Sequence, residues 1–175
     1  MKLFQTNYQK ILVYLATNPG SKLVESEIQK ATGVSKSGTN YAVKALVQDG
    51  LVRRDKKGKT SLYYSDPAKP IIRQVKVMLT LLKIAPIVSE LEKISEKIVL
   101  FGSSANGTDI ETSDIDLFIL TNAPEKALKR TGRIKSLNLQ VVAMKPIGYI
   151  SLEKKDPVFY DEISRGITLW EKKSE

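Results

Sequence analysis

The chain has 175 residues, of which 42% are hydrophobic, and this globular composition is sufficient for one or two small domains. It contains no cysteine and no histidine, so disulfides, Cys/His zinc sites, Ser-His-Asp triads and Cys-His nucleophiles are excluded, and any catalytic metal needs oxygen ligands, which favours Mg²⁺ or Mn²⁺. The net charge of +9 is uneven, because residues 1–66 carry 11 Lys/Arg against 5 Asp/Glu, which indicates a polyanionic partner for this region.

The sequence gives no sign of a membrane protein. No apolar signal-peptide core follows Met1, and the longest apolar stretch, 71–84, contains three basic residues and is too short to span a bilayer. We therefore expect a cytoplasmic protein with no membrane partner.

Residues 1–66 are predicted to form three helices and a hairpin. Gly33 ends the second helix, Ser35 is a favourable N-cap for the third, and Lys56-Lys57-Gly58-Lys59 is a hairpin turn. The predicted elements are helices over 8–17, 23–32 and 36–48, and strands over 51–54 and 61–64.

This order of elements carries the run Thr32-Gly33-Val34-Ser35-Lys36-Ser37 and, later, Gly50-Leu51-Val52-Arg53. It resembles the winged helix-turn-helix domain of bacterial and archaeal transcription regulators. The resemblance implies that the third helix enters the major groove of double-stranded DNA and that the wing contacts phosphates. The alternative is a winged helix used for protein–protein contact. The implied DNA-binding residues are Lys36, Ser37, Asn40, Tyr41 and Lys44 on the helix, and Arg53, Arg54, Lys56, Lys57 and Lys59 on the wing.

Pro67 and Pro70 mark the end of this domain, and residues 67–96 are predicted to be a helical connector. Two helices are expected there, over 71–83 and 86–95. The first is apolar on nearly all sides, so it must be buried widely, either between domains or against its twin in a homodimer.

Residues 97–175 are predicted to form a small mixed α/β domain of 79 residues, near the lower size limit for an independent core. The strands are expected over 97–101, 114–120, 137–144 and 167–170, the helices over 124–133 and 156–164, and a turn with a short helix or loop over 102–112.

The most informative motif lies in this domain. Phe101-Gly102-Ser103 follows a predicted strand, and Asp114-Ile115-Asp116-Leu117 begins the next one after ten residues. Side chains two apart on a strand share a face, so the two carboxylates can hold divalent metal ions together. The Gly-Ser turn allows backbone N–H groups to approach a phosphate. Alternation beyond the aspartates puts Ile115, Leu117 and Ile119 on one face and continues the carboxylate face into Phe118 and Leu120.

This motif resembles the signature of the nucleotidyltransferase superfamily that includes DNA polymerase beta, and most closely its minimal nucleotidyltransferase branch. The resemblance implies that Asp114 and Asp116 are catalytic ligands of Mg²⁺, and that Gly102 and Ser103 bind the phosphates of a nucleoside triphosphate. A nucleotidyl group would pass to a hydroxyl. Active members usually have a third carboxylate on the next strand, where this chain has Gln140, and a substitute acid is sought among Asp109, Glu111 and Asp161.

The expected fold is thus a two-domain α/β protein, with a winged helix over 1–66, a connector over 67–96 and a nucleotidyltransferase-like sheet with flanking helices over 97–175. We favour a transcription regulator whose second domain binds metal and nucleotide but is catalytically weak because of Gln140. The alternatives are an active nucleotidyltransferase and an antitoxin with a toxin partner.

Overall fold

The chain divides into two compact units, Met1–Lys76 and Val77–Glu175, and the computed structural model describes residues 4–173. The division falls inside a helix, α4 (Pro70–Leu91), so the predicted connector is shared between the units. The first unit is three helices and a hairpin, and the second is a mixed sheet with helices on both faces. These observations confirm the predicted fold class.

The helix ends of the first unit follow from their capping residues. Thr6 accepts a hydrogen bond from the Gln9 amide at 3.2 Å at the start of α1, and Ser35 accepts one from the Gly38 amide at 3.3 Å at the start of α3, as predicted. Gly33 has φ +67° and ends α2. The elements are α1 (Asn7–Thr17), α2 (Glu25–Thr32), α3 (Lys36–Gln48), β1 (Arg53–Lys57) and β2 (Thr60–Tyr64).

Two details of the first unit differ from the prediction. The second helix begins at Glu25, because Leu23 pairs with Tyr63 of β2 through backbone hydrogen bonds of 3.0 and 2.8 Å. The hairpin is longer than expected, with only Gly58 and Lys59 between its paired strands. Its turn suits the φ of +61° at Gly58. The unit encloses a core of buried apolar side chains, among them Ile11, Leu15, Ile28, Val43 and Leu46.

The second unit contains a four-stranded sheet of order β5-β4-β3-β6. Strand β4 is antiparallel to β3 and parallel to β5, and β6 is antiparallel to β3. The elements are β3 (Lys97–Phe101), α5 (Gly102–Asn106), β4 (Ile115–Leu120), α6 (Pro124–Thr131), β5 (Leu139–Met144), α7 (Pro146–Lys155), α8 (Pro157–Ser164) and β6 (Ile167–Glu171), with a short 3₁₀ turn over Glu92–Ile94 before β3.

The sheet separates two apolar clusters. Leu117 and Ile119 of β4 pack on one face with residues of α4 and α6, including Ile84 and Ala127. Phe118 of β4 packs on the other face, where α7 and α8 contribute their buried residues, Leu152 and Ile163. The alternation predicted for β4 is therefore correct, and the carboxylate face is the one covered by α7 and α8.

One helix prediction was wrong, and one helix was not predicted. Helix α4 continues through Pro86, although a helix was expected to end before it. Burial of Ile84, Ile87 and Leu91 on both sides of the proline offsets the missing backbone hydrogen bond. Helix α7 was not predicted, because Gly148 interrupts an otherwise weak helical pattern. Within residues 4–173, no helix is long and apolar enough to cross a membrane.

Candidate functional site

The turn that follows β3 is shaped around a carboxylate. Gly102 has φ +68°, a left-handed conformation that glycine adopts without strain. A Cβ at this position would collide with the Asp116 carboxylate oxygen Oδ2. Both constraints favour glycine here, since only a residue without a side chain allows the carboxylate to lie against the turn. The two halves of the sequence motif therefore lie against each other.

Asp114 and Asp116 lie at the entry to β4, and both are half-buried. Asp116 is paired in register with Phe101 of β3 on one side and with Gln140 of β5 on the other. Residues paired in adjacent strands share a face of the sheet. The structure thus places Gln140 beside the Asp116 carboxylate. The resemblance to nucleotidyltransferases implied a third carboxylate at this position in active members.

The backbone around Asp114 is held by polar contacts that the sequence did not predict. Asn138 donates from its side chain to the Asp114 carboxylate, and its carbonyl accepts from the Ile115 amide at 2.8 Å. The buried Ser104 hydroxyl donates to the Asp114 carbonyl at 3.2 Å. These contacts fix the strand entry that presents the two carboxylates. Asn138 precedes a strand and belongs to no periodic pattern, so the sequence carried no signal for it.

The Asp116 carboxyl sits in an unfavourable electrostatic environment. Burial is the main cause of its raised pKa, and the negative charges of Asp114 and then Glu162 raise the pKa further. A divalent cation would relieve both the burial penalty and the repulsion, so this donor set fits Mg²⁺ or Mn²⁺, which typically uses one or two protein carboxylates. No group of three Cys, His, Asp or Glu residues able to hold a metal is found in the part of the chain that the structure describes.

Glu162 on α8 is an exposed acid whose charge contributes to the raised pKa of Asp116, and it was assigned no role from the sequence. The neighbouring Asp161, one of the substitutes considered, instead forms an ion pair with Arg165 at 2.8 Å. Helix α8 is fixed over this face by Ile163, which is buried with Phe101, and by Phe159, whose ring centroid lies 5.7 Å from that of Phe101. The sequence shows two adjacent acids in this helix, and the structure shows that Asp161 is paired with Arg165 while the Glu162 charge contributes to the raised pKa of Asp116.

In the first unit, the predicted groove contacts on α3 fall into two groups. Lys36, Ser37, Tyr41 and Lys44 are exposed, and the Tyr41 side chain is 79% accessible. Asn40 is half-buried, and its side-chain nitrogen donates to both carboxylate oxygens of Glu25 on α2. Four of the five side chains are thus free to approach a ligand, and the fifth is engaged within the fold.

The partner of Asn40 is Glu25, at 3.1 and 3.3 Å, and this carboxylate also accepts a hydrogen bond of 2.9 Å from the Tyr63 hydroxyl. The Tyr63 side chain is buried, and that burial, followed by the bond to Glu25, raises its phenol pKa. A single carboxylate therefore joins α2, α3 and β2. Sequence analysis assigned no role to Glu25 or Tyr63.

The wing cations are also divided. Arg53 forms an ion pair with Asp66 at 2.6 Å, and Arg54 donates to the Ser61 hydroxyl at 2.8 and 3.0 Å. The remaining wing cations, Lys56, Lys57 and Lys59, are exposed and form no ion pair with residues that the structure describes. The lysines near the turn are therefore the wing charges left available for an external anion.

Comparisons with known proteins find similar solved structures and matching family models. Solved structures similar to this chain include the AntR antimony-specific transcriptional repressor (16% identity, 49% of this chain and 76% of that one, TM-score 0.40), a proposed nucleotidyltransferase from Sulfolobus solfataricus (21%, 57% and 88%, 0.40) and TrmBL2, an archaeal chromatin protein (14%, 91% and 71%, 0.33). A search of curated proteins found no match.

Family models give the assignment of the two segments. The model of the MarR family matches residues 10–59, which contain α1 to α3 and the hairpin up to its turn. The model of the nucleotidyltransferase domain matches residues 81–166, which contain the Gly102 turn and both aspartates. The comparison thus finds a MarR-family winged-helix domain over residues 10–59 and a nucleotidyltransferase domain over residues 81–166.

Proposed function

We propose that this protein is a DNA-binding transcription regulator whose nucleotidyltransferase domain binds a divalent metal ion and a nucleoside triphosphate. The observation that carries the proposal is the fit of the Asp116 carboxylate against Gly102, which supports one site formed by the Gly102 turn and the two aspartates. The exposed cations of α3 and the wing support the DNA-binding part.

Each residue of the proposed nucleotide site has a distinct role. Asp114 and Asp116 would hold the metal ion, and the turn at Gly102 and Ser103 would present backbone N–H groups to the phosphates. When bound, the ion would neutralise charge on the triphosphate. Asn138 and Ser104 keep the Asp114 segment in place, so the carboxylates need little rearrangement on binding.

The residue that favours a regulator over an efficient enzyme is Gln140. Its register beside Asp116 puts an amide where a carboxylate would help to hold a second metal or accept a proton. An amide can do neither well, so we expect weak or absent nucleotidyl transfer. The alternative, an active Mg²⁺-dependent transferase, would need an acid other than Gln140, and Glu162, whose charge contributes to the raised pKa of Asp116, is the candidate. The homodimer and the toxin partner stay predictions.

Thermal unfolding with Mn²⁺ and each nucleoside triphosphate tests the nucleotide site, because a ligand that binds only the native state raises the melting temperature. At a ligand concentration 100-fold above Kd the gain is about 2.7 kcal/mol. Asp116→Asn should abolish the shift, and Glu153→Gln, which removes one exposed negative charge of α7, should keep it. No shift with any triphosphate in the wild type would contradict the proposal.

The DNA-binding part is tested by fluorescence anisotropy with duplex DNA at several salt concentrations. Lys36→Gln with Lys44→Gln should weaken binding strongly, since both cations lie on the exposed side of α3. Lys10→Gln, a neutralisation on α1, is the control and should have little effect. Equal affinities for all variants would favour the protein–protein alternative.

A further inference from the structure

A cleft of about 440 Å³ lies in the second unit where the C-terminal ends of α4 and α6 meet. Its volume is in the range of small-molecule sites. The walls carry three cations, one carboxylate and one apolar side chain, so the lining has an excess of positive charge. The lining residues are Glu90, Lys93, Arg130, Arg133 and Ile134.

The cations of the cleft are not neutralised by the protein. Arg130 is half-buried, and its Nη1 donates to the Glu90 carbonyl at 3.0 Å, which stabilises the carbonyl end of α4 and holds the guanidinium at the wall. Lys93 and Arg133 are exposed and form no ion pair among residues 4–173. Capping of a helix end accounts for Arg130 and leaves the other two positive charges without a partner.

The cleft is separate from the two aspartates. Ile134 packs against the apolar cluster between the sheet, α4 and α6, whereas Asp116 shares a face with Phe118, on the side of α7 and α8. The sheet therefore lies between the two places. A ligand in the cleft would not compete with a nucleotide at the aspartates.

We propose that this cleft is a second binding site, for the phosphate groups of a small phosphorylated ligand of nucleotide size. Guanidinium groups match phosphate oxygens through paired N–H donors, and Lys93 adds a point charge. The Glu90 carboxylate suits a hydroxyl or amino donor on the remainder of the ligand, which favours a nucleoside phosphate over bare phosphate. The open form of the site and its two unpaired cations fit an anion that binds reversibly.

Isothermal titration calorimetry of the full chain with inorganic pyrophosphate, in EDTA to prevent metal-dependent binding at the aspartates, tests the phosphate chemistry. The double variant Lys93→Gln, Arg133→Gln should lose affinity by about tenfold or more, because hydrogen bonds to charged groups are removed. The matched control Lys126→Gln, Lys129→Gln neutralises two exposed cations of α6 outside the cleft and should bind within about twofold of the wild type. Asp116→Asn should bind normally.

Two further titrations separate the sources of the phosphate. ADP in EDTA should bind more tightly than pyrophosphate if Glu90 contacts the nucleoside, and Glu90→Gln should reduce that difference. Absence of pyrophosphate binding, or an equal loss in the cleft variant and its control, overturns the proposal. A cleft variant that loses affinity for duplex DNA but not for pyrophosphate or ADP also overturns it, since the cleft would then contact a nucleic acid backbone.

Discussion

The two units use their charged side chains in opposite ways. In the winged-helix unit, groups expected to contact DNA also stabilise the fold: Asn40 binds Glu25, and Arg53 binds Asp66. In the nucleotidyltransferase unit, Asp116 is half-buried beside the like charge of Asp114, and burial and repulsion oppose its ionisation. Asn40 and Arg53 are thus satisfied within the first unit, whereas the aspartate site of the second unit is electrostatically incomplete. An incomplete site of this kind is what a metal ion and a triphosphate would complete.

The largest effect is expected for Gly102→Ala, which attacks the incomplete site directly. The new Cβ meets the Asp116 carboxylate and the residue must keep φ near +68°, so both the turn and the carboxylate must move. We expect the stabilisation by Mn²⁺ and triphosphate to disappear in thermal unfolding. The control is Gly58→Ala at φ +61°, where nothing lies within 4 Å of the added Cβ.

Both glycine variants should lose about 1 kcal/mol or more of stability through the left-handed backbone. Only Gly102→Ala should also lose the ligand response. If Gly102→Ala retains the full response, then the turn and the carboxylate do not form one site, and the proposed metal and nucleotide site is wrong.

The next largest effect is expected for the hydrogen bonds that Glu25 forms within the winged-helix unit. Glu25→Ala removes the acceptor shared by Asn40 and Tyr63 and leaves the buried phenol hydroxyl without its partner. We expect a loss of about 1–3 kcal/mol in the free energy of unfolding, measured with urea. Affinity for DNA should fall as well, because α3 loses its tie to α2 and β2.

Tyr63→Phe is the matched variant for Glu25→Ala, since it removes one of the hydrogen bonds to Glu25 without leaving a buried donor. It should cost less, about 0.5–1.5 kcal/mol, and should preserve DNA affinity. Identical behaviour of the two variants would mean that the Asn40 bond contributes nothing to the position of α3.

The sequence predicted local features of the structure correctly, whereas it did not predict the long-range contacts. The alternation along β4 and the Ser35 cap are local, and both were predicted correctly. The contacts of Asn138 with Asp114 and of Tyr63 with Glu25 join residues 24 and 38 positions apart. Such pairs depend on strand register and helix docking, which no local pattern in one sequence encodes.

Element boundaries failed where tertiary packing opposes local preference. Pro86 predicts a helix end, yet the apolar side chains on either side of it are buried against the sheet, and the helix continues. Gly148 weakens the pattern of α7, yet this helix contributes the buried Leu152 to the cluster on the carboxylate face. In both places, the packing energy exceeds a local cost of about 1–3 kcal/mol.

A smaller effect is expected for Asp116→Asn in the absence of metal. Its charge is disfavoured in the folded state, first by burial and then by Asp114 and Glu162, so the amide should raise the melting temperature of the ligand-free protein at neutral pH. The same variant should remove the stabilisation by Mn²⁺ and triphosphate. A loss of stability in the ligand-free protein would show that the carboxylate is satisfied.

The pH dependence of the melting-temperature difference between wild type and Asp116→Asn tests independently whether the Asp116 charge destabilises the folded protein. Because the folded-state pKa of Asp116 is raised above its unfolded value, the folded protein takes up this proton first as pH falls. The penalty is therefore present above the raised pKa and vanishes below the unfolded value. The gap in melting temperature between wild type and Asp116→Asn should shrink as pH falls through this window.

The smallest effect is expected on the wing, where Lys57 and Lys59 are exposed and unpaired among the described residues while Arg53 is paired with Asp66. Lys57→Gln with Lys59→Gln should weaken DNA binding about equally for all sequences and reduce the slope of log K against log salt by about 2. Arg53→Gln should change the slope less and lower stability slightly, because its guanidinium already neutralises a carboxylate of its own domain. Salt titrations of both variants against two duplexes of unrelated sequence measure this directly. A larger slope change for Arg53→Gln would mean that Arg53 leaves Asp66 and contacts a DNA phosphate when the protein binds DNA.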